Sequence, residues 1–138
     1  MKIRDIMSTD LACATPQTTV REVANMMRQE DCGSIPIARD GQLMGIITDR
    51  DITIRVVAEG RDPGAVQVED VMTPDVATVS PDEDTDEALE RMSLEQVRRL
   101  PVVEGDHLVG LVAMGKLAQK VGPTTEVGAA EQSITRGA

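Results

Sequence analysis

Apolar positions along this chain alternate between two periods. Val20, Val23, Ala24 and Met27 recur at helical spacing, which predicts a helix with one buried stripe. Ahead of them Thr19-x-x-Glu22 forms a capping box, in which two side chains satisfy N–H groups that have no partner inside the helix. Ser34-Ile35-Pro36-Ile37-Ala38 is an apolar run, Arg39-Asp40-Gly41-Gln42 carries turn chemistry, and Leu43 to Ile47 is apolar again, so the pattern predicts a β-hairpin. Before the helix, Ile3 to Met7 reads as a short helical lead-in. Leu11 to Ala14 reads as a short strand that stops before Pro16, which cannot donate to a ladder. After the hairpin, Ile52-Thr53-Ile54-Arg55-Val56-Val57 reads as a second helix.

The same pattern then returns. Met7 recurs as Met72, Pro36 as Pro101 and Gly45 as Gly110, a constant offset of 65 residues (72 − 7, 101 − 36, 110 − 45). The register holds without insertion from about residue 3 to 52 against 68 to 117, so two copies of one unit make up most of the chain. In the second copy Asp84-x-x-Glu87 is the expected cap, and Ala88, Leu89 and Met92 form the inner stripe. Leu100 to Val103 and Leu108 to Val112 flank the turn Glu104-Gly105-Asp106-His107. The expected division is repeat 1 over 1–60, a linker over 61–67, repeat 2 over 68–121 and a loose tail over 122–138. One copy of this size is too small to bury both faces of its elements. The expected fold is therefore α/β (α+β), two repeats packed sheet to sheet about a pseudo-twofold axis, with equivalent clefts between them.

Composition narrows the chemistry. The chain has no aromatic residue, so a nucleobase would be gripped by aliphatic walls, and the stacking platforms of single-strand binders are missing. A formal charge of −10 repels nucleic-acid backbones and anionic membrane surfaces, so neither is an expected partner. Without a leader-like or membrane-spanning apolar run, the expected location is cytoplasmic. Cys13 and Cys32 read as small buried hydrophobes rather than a disulfide framework. A single histidine, His107, offers no zinc spacing, and no nucleophile stands with a base, so neither a metal site nor an enzyme is expected.

The chemistry that remains lies in Gly45-Ile46-Ile47-Thr48-Asp49-Arg50-Asp51, where a strand ends and a helix starts. First-turn N–H groups can hold a phosphate and Thr48 can donate to it. Asp51 has two acceptor oxygens that suit the two hydroxyls of a ribose. Two readings stand together here: a ligand site, or a capping box Thr48-x-x-Asp51 that does no more than close the helix start.

Those residues resemble a known family, the tandem cystathionine-β-synthase-type (CBS) domains whose pair forms a Bateman module. The likeness rests on the Asp-Ile-Met lead-in, the Ile-Pro-Ile and Leu-Pro-Val-Val strands and the Gly-x-x-Thr-x-x-Asp stretch, and it runs to about residue 120. It implies a non-catalytic sensor that binds AMP, ATP, S-adenosylmethionine or a related adenosyl compound between its repeats, with Asp51 on the ribose and Thr48 on phosphate. It also implies phosphate-directed basic side chains at Arg98 and Arg99, whose other reading is a surface ion pair. Arg50 is a further candidate. In the second copy Ala113 and Lys116 stand where threonine and aspartate should be, so one competent cleft per chain is expected. The resemblance further implies a flat homodimer, and the apolar residues of 52–58 and 117–121 would be covered by that contact. The alternative class is a dimerisation or protein-interaction module with an idle cleft and an unidentified partner.

Overall fold

The computed structural model describes residues 1–122 and 125–137. They form two compact units: Ala12–Val76, and Met1–Leu11 together with Ala77–Ala138. Both mix helix and strand, as the two periods require.

In the unit Ala12–Val76, helix α1 spans Val20–Glu30 and is closed by the expected box, with Glu22 N–H donating to Thr19 Oγ1 (3.2 Å) and Thr19 N–H to Glu22 Oε2 (3.0 Å). Val20, Val23 and Met27 face the core, whereas Ala24 is exposed. Strands β1 (Ser34–Arg39) and β2 (Gln42–Thr48) pair antiparallel about a turn in which Asp40 and Gly41 both adopt positive φ, the geometry that matches the twist of a two-residue hairpin. A bulge between Ile37 and Ala38 shifts the register. Leu11–Ala14 falls short of the expected strand. Ala14 alone bridges to Ile37, and the chain turns at once because Thr15 N–H donates to Thr18 Oγ1 (3.1 Å). Cys13 is exposed there, contrary to the buried role expected, and partial desolvation pushes its thiol pKa up. The predicted helix starts three residues earlier than expected: α2 is Asp49–Ile52, continued by a π-helical turn over Thr53–Val57.

The other unit repeats the plan with α3 (Thr85–Glu95), β3 (Arg99–Glu104), β4 (His107–Ala113) and α4 (Met114–Val121). Its bulge falls between Val102 and Val103, at the 65-residue offset (102 − 37). The cap expected of Asp84 does not form: its side chain accepts no N–H from α3 and pairs instead with Lys2 Nζ at 3.7 Å. A lysine within reach competes for the carboxylate that would otherwise turn back onto the helix.

Two features of the packing cut across the repeats. Each lead-in packs in the unit opposite to its own repeat: Ile3 and Ile6 are buried with Val79, Leu89 and Leu100, while Val68 and Val71 are buried with Val20, Val23 and Ile47. The segment expected to be a loose tail holds a helix, α5 (Thr125–Gly137). Val127, Ala130 and Ile134, each about one turn apart, are buried in one cluster with Leu89, Met92 and Leu117. Residues 123, 124 and 138 of that tail lie outside the described residues.

Candidate functional site

Close packing within the unit Ala12–Val76 sets the site. Ile46 exchanges both backbone hydrogen bonds with Thr73 (3.0 and 2.8 Å), which draws the segment after the second lead-in along β2. That approach explains the glycine at 45: a Cβ there would lie 2.7 Å from the Thr73 carbonyl oxygen and 2.9 Å from Met72 Sδ. Asp49 N–H donates to the Gly33 carbonyl (2.9 Å), and the Asp49 carboxylate then sits where a Gly33 side chain would be, 2.9 Å from that Cβ position.

At the start of α2 the capping box is real. Asp51 N–H donates to Thr48 Oγ1 (3.1 Å) and Thr48 N–H donates to Asp51 Oδ2 (3.0 Å). The box does not exhaust either side chain. Thr48 Oγ1 spends a lone pair as acceptor and keeps its own hydrogen to donate, and a carboxylate with two oxygens accepts up to about four hydrogen bonds. Only 11% of the Asp51 side chain is exposed, so it is held in place while remaining reachable.

Two residues around this carboxylate were not singled out by the sequence. Thr73 Oγ1 lies 3.4 Å from each Asp51 oxygen, and Arg55 Nε lies 4.0 Å from Oδ1. Arg55 Nη1 donates to the carbonyls of Val71 (3.0 Å) and Met72 (3.1 Å). The repeat offered one hint of Thr73, since Ser8 occupies the matching position and both follow a methionine. Arg50 is exposed on the first turn, where its N–H donates to Asp49 Oδ1 (2.9 Å).

The matching place in the other unit keeps the backbone and loses the chemistry. Ser8 and Leu111 exchange the same bonds (2.9 and 3.0 Å), and Met114 N–H donates to the Arg98 carbonyl (2.7 Å) as Asp49 does to Gly33. Ala113 supplies no side-chain cap to α4, and Lys116 is half-buried on its first turn. Arg98 is exposed and Arg99 half-buried at the entry to β3. Among the described residues no three His, Cys, Asp or Glu side chains gather as a metal site, and no helix is long and apolar enough to cross a membrane.

Comparison with known proteins agrees with this architecture. Residues 3–58 and 68–122 each match the CBS domain family. The CBS domain-containing protein YhcV of Bacillus subtilis is 38% identical over 96% of this chain and 94% of its own length. The solved Hypoxic Response Protein I, described with two coordinated zinc ions, is 34% identical, with a TM-score of 0.81 over 86% of this chain and 98% of that one. A solved CBS domain pair in complex with 5′-methylthioadenosine and S-adenosyl-L-methionine is 27% identical, with a TM-score of 0.79 over 88% of this chain and 96% of that one. Two family matches in tandem, on two units of one plan, identify the chain as a member of the CBS domain family that carries a pair of these domains.

Proposed function

We propose that this CBS pair is a non-catalytic regulatory module that binds one adenosyl ligand of the AMP, ATP or S-adenosylmethionine class per chain. Asp51 takes the ribose hydroxyls, Thr48 donates to the ligand's polar chain or phosphate, and Arg98, Arg99 and Arg50 answer anionic charge. The observation that carries the reading is the half-spent Thr48–Asp51 box: the carboxylate is fixed by one backbone bond and retains acceptor capacity, and the hydroxyl retains its hydrogen. A related CBS pair described with two adenosyl compounds bound supports the ligand class. Loss of both anchors at Ala113 and Lys116 supports a single site. Homodimerisation belongs to the same proposal, supported by the exposure of Ile54 (45%) and Val57 (67%).

The test is a thermal-shift panel of AMP, ADP, ATP, S-adenosylmethionine and NAD, followed by calorimetry. A ligand at a hundred times its dissociation constant stabilises the native state by about 2.7 kcal/mol, a shift of several degrees. The expected stoichiometry is about one per chain. Because the box is intact, Asp51→Asn is the informative variant: an amide can keep the cap to Thr48 N–H but offers one acceptor oxygen rather than two. Affinity should fall roughly ten- to a hundredfold, about 1.5 to 3 kcal/mol for lost bonds to a charged group, with stability held within about 0.5 kcal/mol. Unchanged affinity would remove Asp51 from the site. Arg98→Ala and Arg99→Ala should weaken AMP more than adenosine, since a guanidinium fork pairs with phosphate.

A further inference from the structure

Thr73 and Arg55 do more around Asp51 than packing needs. The segment Val71–Thr73 belongs by sequence to the second repeat, yet it lies in the unit Ala12–Val76, and the chain leaves that unit directly after Val76. Besides the turn bonds from the Val71 and Met72 N–H groups to the Val68 carbonyl (3.1 and 2.8 Å), three sets of contacts hold the segment. The exchange between Thr73 and Ile46 is a short backbone pair. Arg55 fixes the carbonyls of Val71 and Met72 with charged bonds of 3.0 and 3.1 Å. The third is of another quality: Thr73 Oγ1 sits equally far, 3.4 Å, from both Asp51 oxygens, longer than the roughly 2.5–3.0 Å usual for a hydroxyl on a carboxylate. Ribose hydroxyls approaching the same oxygens can reach better geometry than this shared, stretched contact, so Thr73 is the partner that yields.

We propose that Thr73 is an occupancy switch: a ligand on Asp51 displaces its hydroxyl, and the release loosens the chain just where it leaves the unit, while Arg55 anchors the stretch upstream. This rests on the ligand reading above. It goes beyond it by naming how occupancy leaves the site. The device exists once per chain, because the matching positions carry Ser8, Lys116 and Lys120, with no carboxylate to hold a hydroxyl.

The test uses amide hydrogen exchange on the full chain with AMP and S-adenosylmethionine as probes, beside calorimetry. In the wild type, ligand should raise exchange at the Thr73 and Ile46 amides, whose mutual bonds hold the segment, at least threefold, while Val71 and Met72, which donate to the Val68 carbonyl, stay protected. Thr73→Val removes the hydroxyl at nearly constant shape. Without ligand it should already show the raised exchange, ligand should add nothing, and affinity should be equal or up to about fivefold tighter. Thr73→Ser should behave as the wild type. Arg55→Met should raise exchange at Val71 and Met72 in the ligand-free protein, with Arg55→Lys between the two. Affinity weakened more than threefold in Thr73→Val would make Thr73 a ligand contact and overturn the switch. So would ligand binding that leaves exchange at Thr73 and Ile46 unchanged, and in either case the ligand reading survives. If neither probe binds the wild type, the ligand reading and the switch fall together, and raised exchange in Arg55→Met then supports the anchor alone.

Discussion

Two glycines at equivalent places show how a single residue depends on what passes over it. Gly45 lies under a backbone oxygen: its missing Cβ would be 2.7 Å from the Thr73 carbonyl. Gly110 lies under the end of a flexible side chain, with Met7 Sδ at 2.7 Å and the Ser8 carbonyl at 3.1 Å. A thioether can swing aside and a bridged peptide cannot. Gly45→Ala should therefore cost about 1 to 3 kcal/mol of stability, the usual penalty of overpacking, and Gly110→Ala clearly less, as urea denaturation would measure. Equal losses would mean that Met7 is as fixed as the Thr73 backbone. Position 33 falls on the lenient side of this contrast: a Cβ there would meet the Asp49 carboxylate at 2.9 Å, the end of an exposed side chain that can turn away, and the matching position carries Arg98.

At the scale of elements, two helix starts with one backbone plan differ in their side chains. Helix α2 has its box, and α4 begins at Ala113 with no side-chain cap and a glycine at its second position. Restoring the first repeat's pair, Ala113→Thr with Lys116→Asp, should add about 0.5 to 2 kcal/mol by satisfying orphan N–H groups. A thermal melt without gain would mean that the lysine makes a contact worth as much as the cap. Helix α5 depends on burial, being rich in small and polar residues and apolar on Val127, Ala130 and Ile134. Ile134→Ala should cost about 2 kcal/mol or more, and Gln132→Ala on the exposed side less than about 0.5 kcal/mol. A loose tail would give two equal, negligible changes in the denaturation midpoint.

For the whole molecule, the apolar residues assigned from the sequence to a twofold contact separate into two kinds. Leu117 is fully buried within its own unit, in a cluster that includes α5, so it needs no second copy. Ile54 and Val57 are exposed on the π-helical turn, and they are the apolar side chains that the proposed dimer would cover. The expectation is a dimer by sedimentation at micromolar concentration, reduced to monomer by Ile54→Asp with Val57→Asp, since each copy of a twofold contact carries both changes. A wild type that sediments as monomer would remove dimerisation from the functional proposal and leave the ligand site standing.

Whatever depends on neighbours along the chain could be read from the residues alone. Helical periods, both hairpin turns and the Thr48–Asp51 box were legible because each is closed by bonds spanning only a few residues, and the 65-residue repeat because one local pattern is written twice. The sequence misjudged Asp84, where the same local pattern lost its carboxylate to Lys2, distant in the chain. The tertiary structure alone decided which unit each lead-in serves, since Ile3 and Val68 carry the same apolar signal and either core could accept it. It also decided that 125–137 folds, because a sparse stripe becomes helical only where a cluster such as that around Leu89 and Leu117 can bury it. Around Asp51 the box was local and readable, while Thr73 came from 22 residues away, placed by a backbone bridge whose one trace in the chain is Ser8 at the repeat offset.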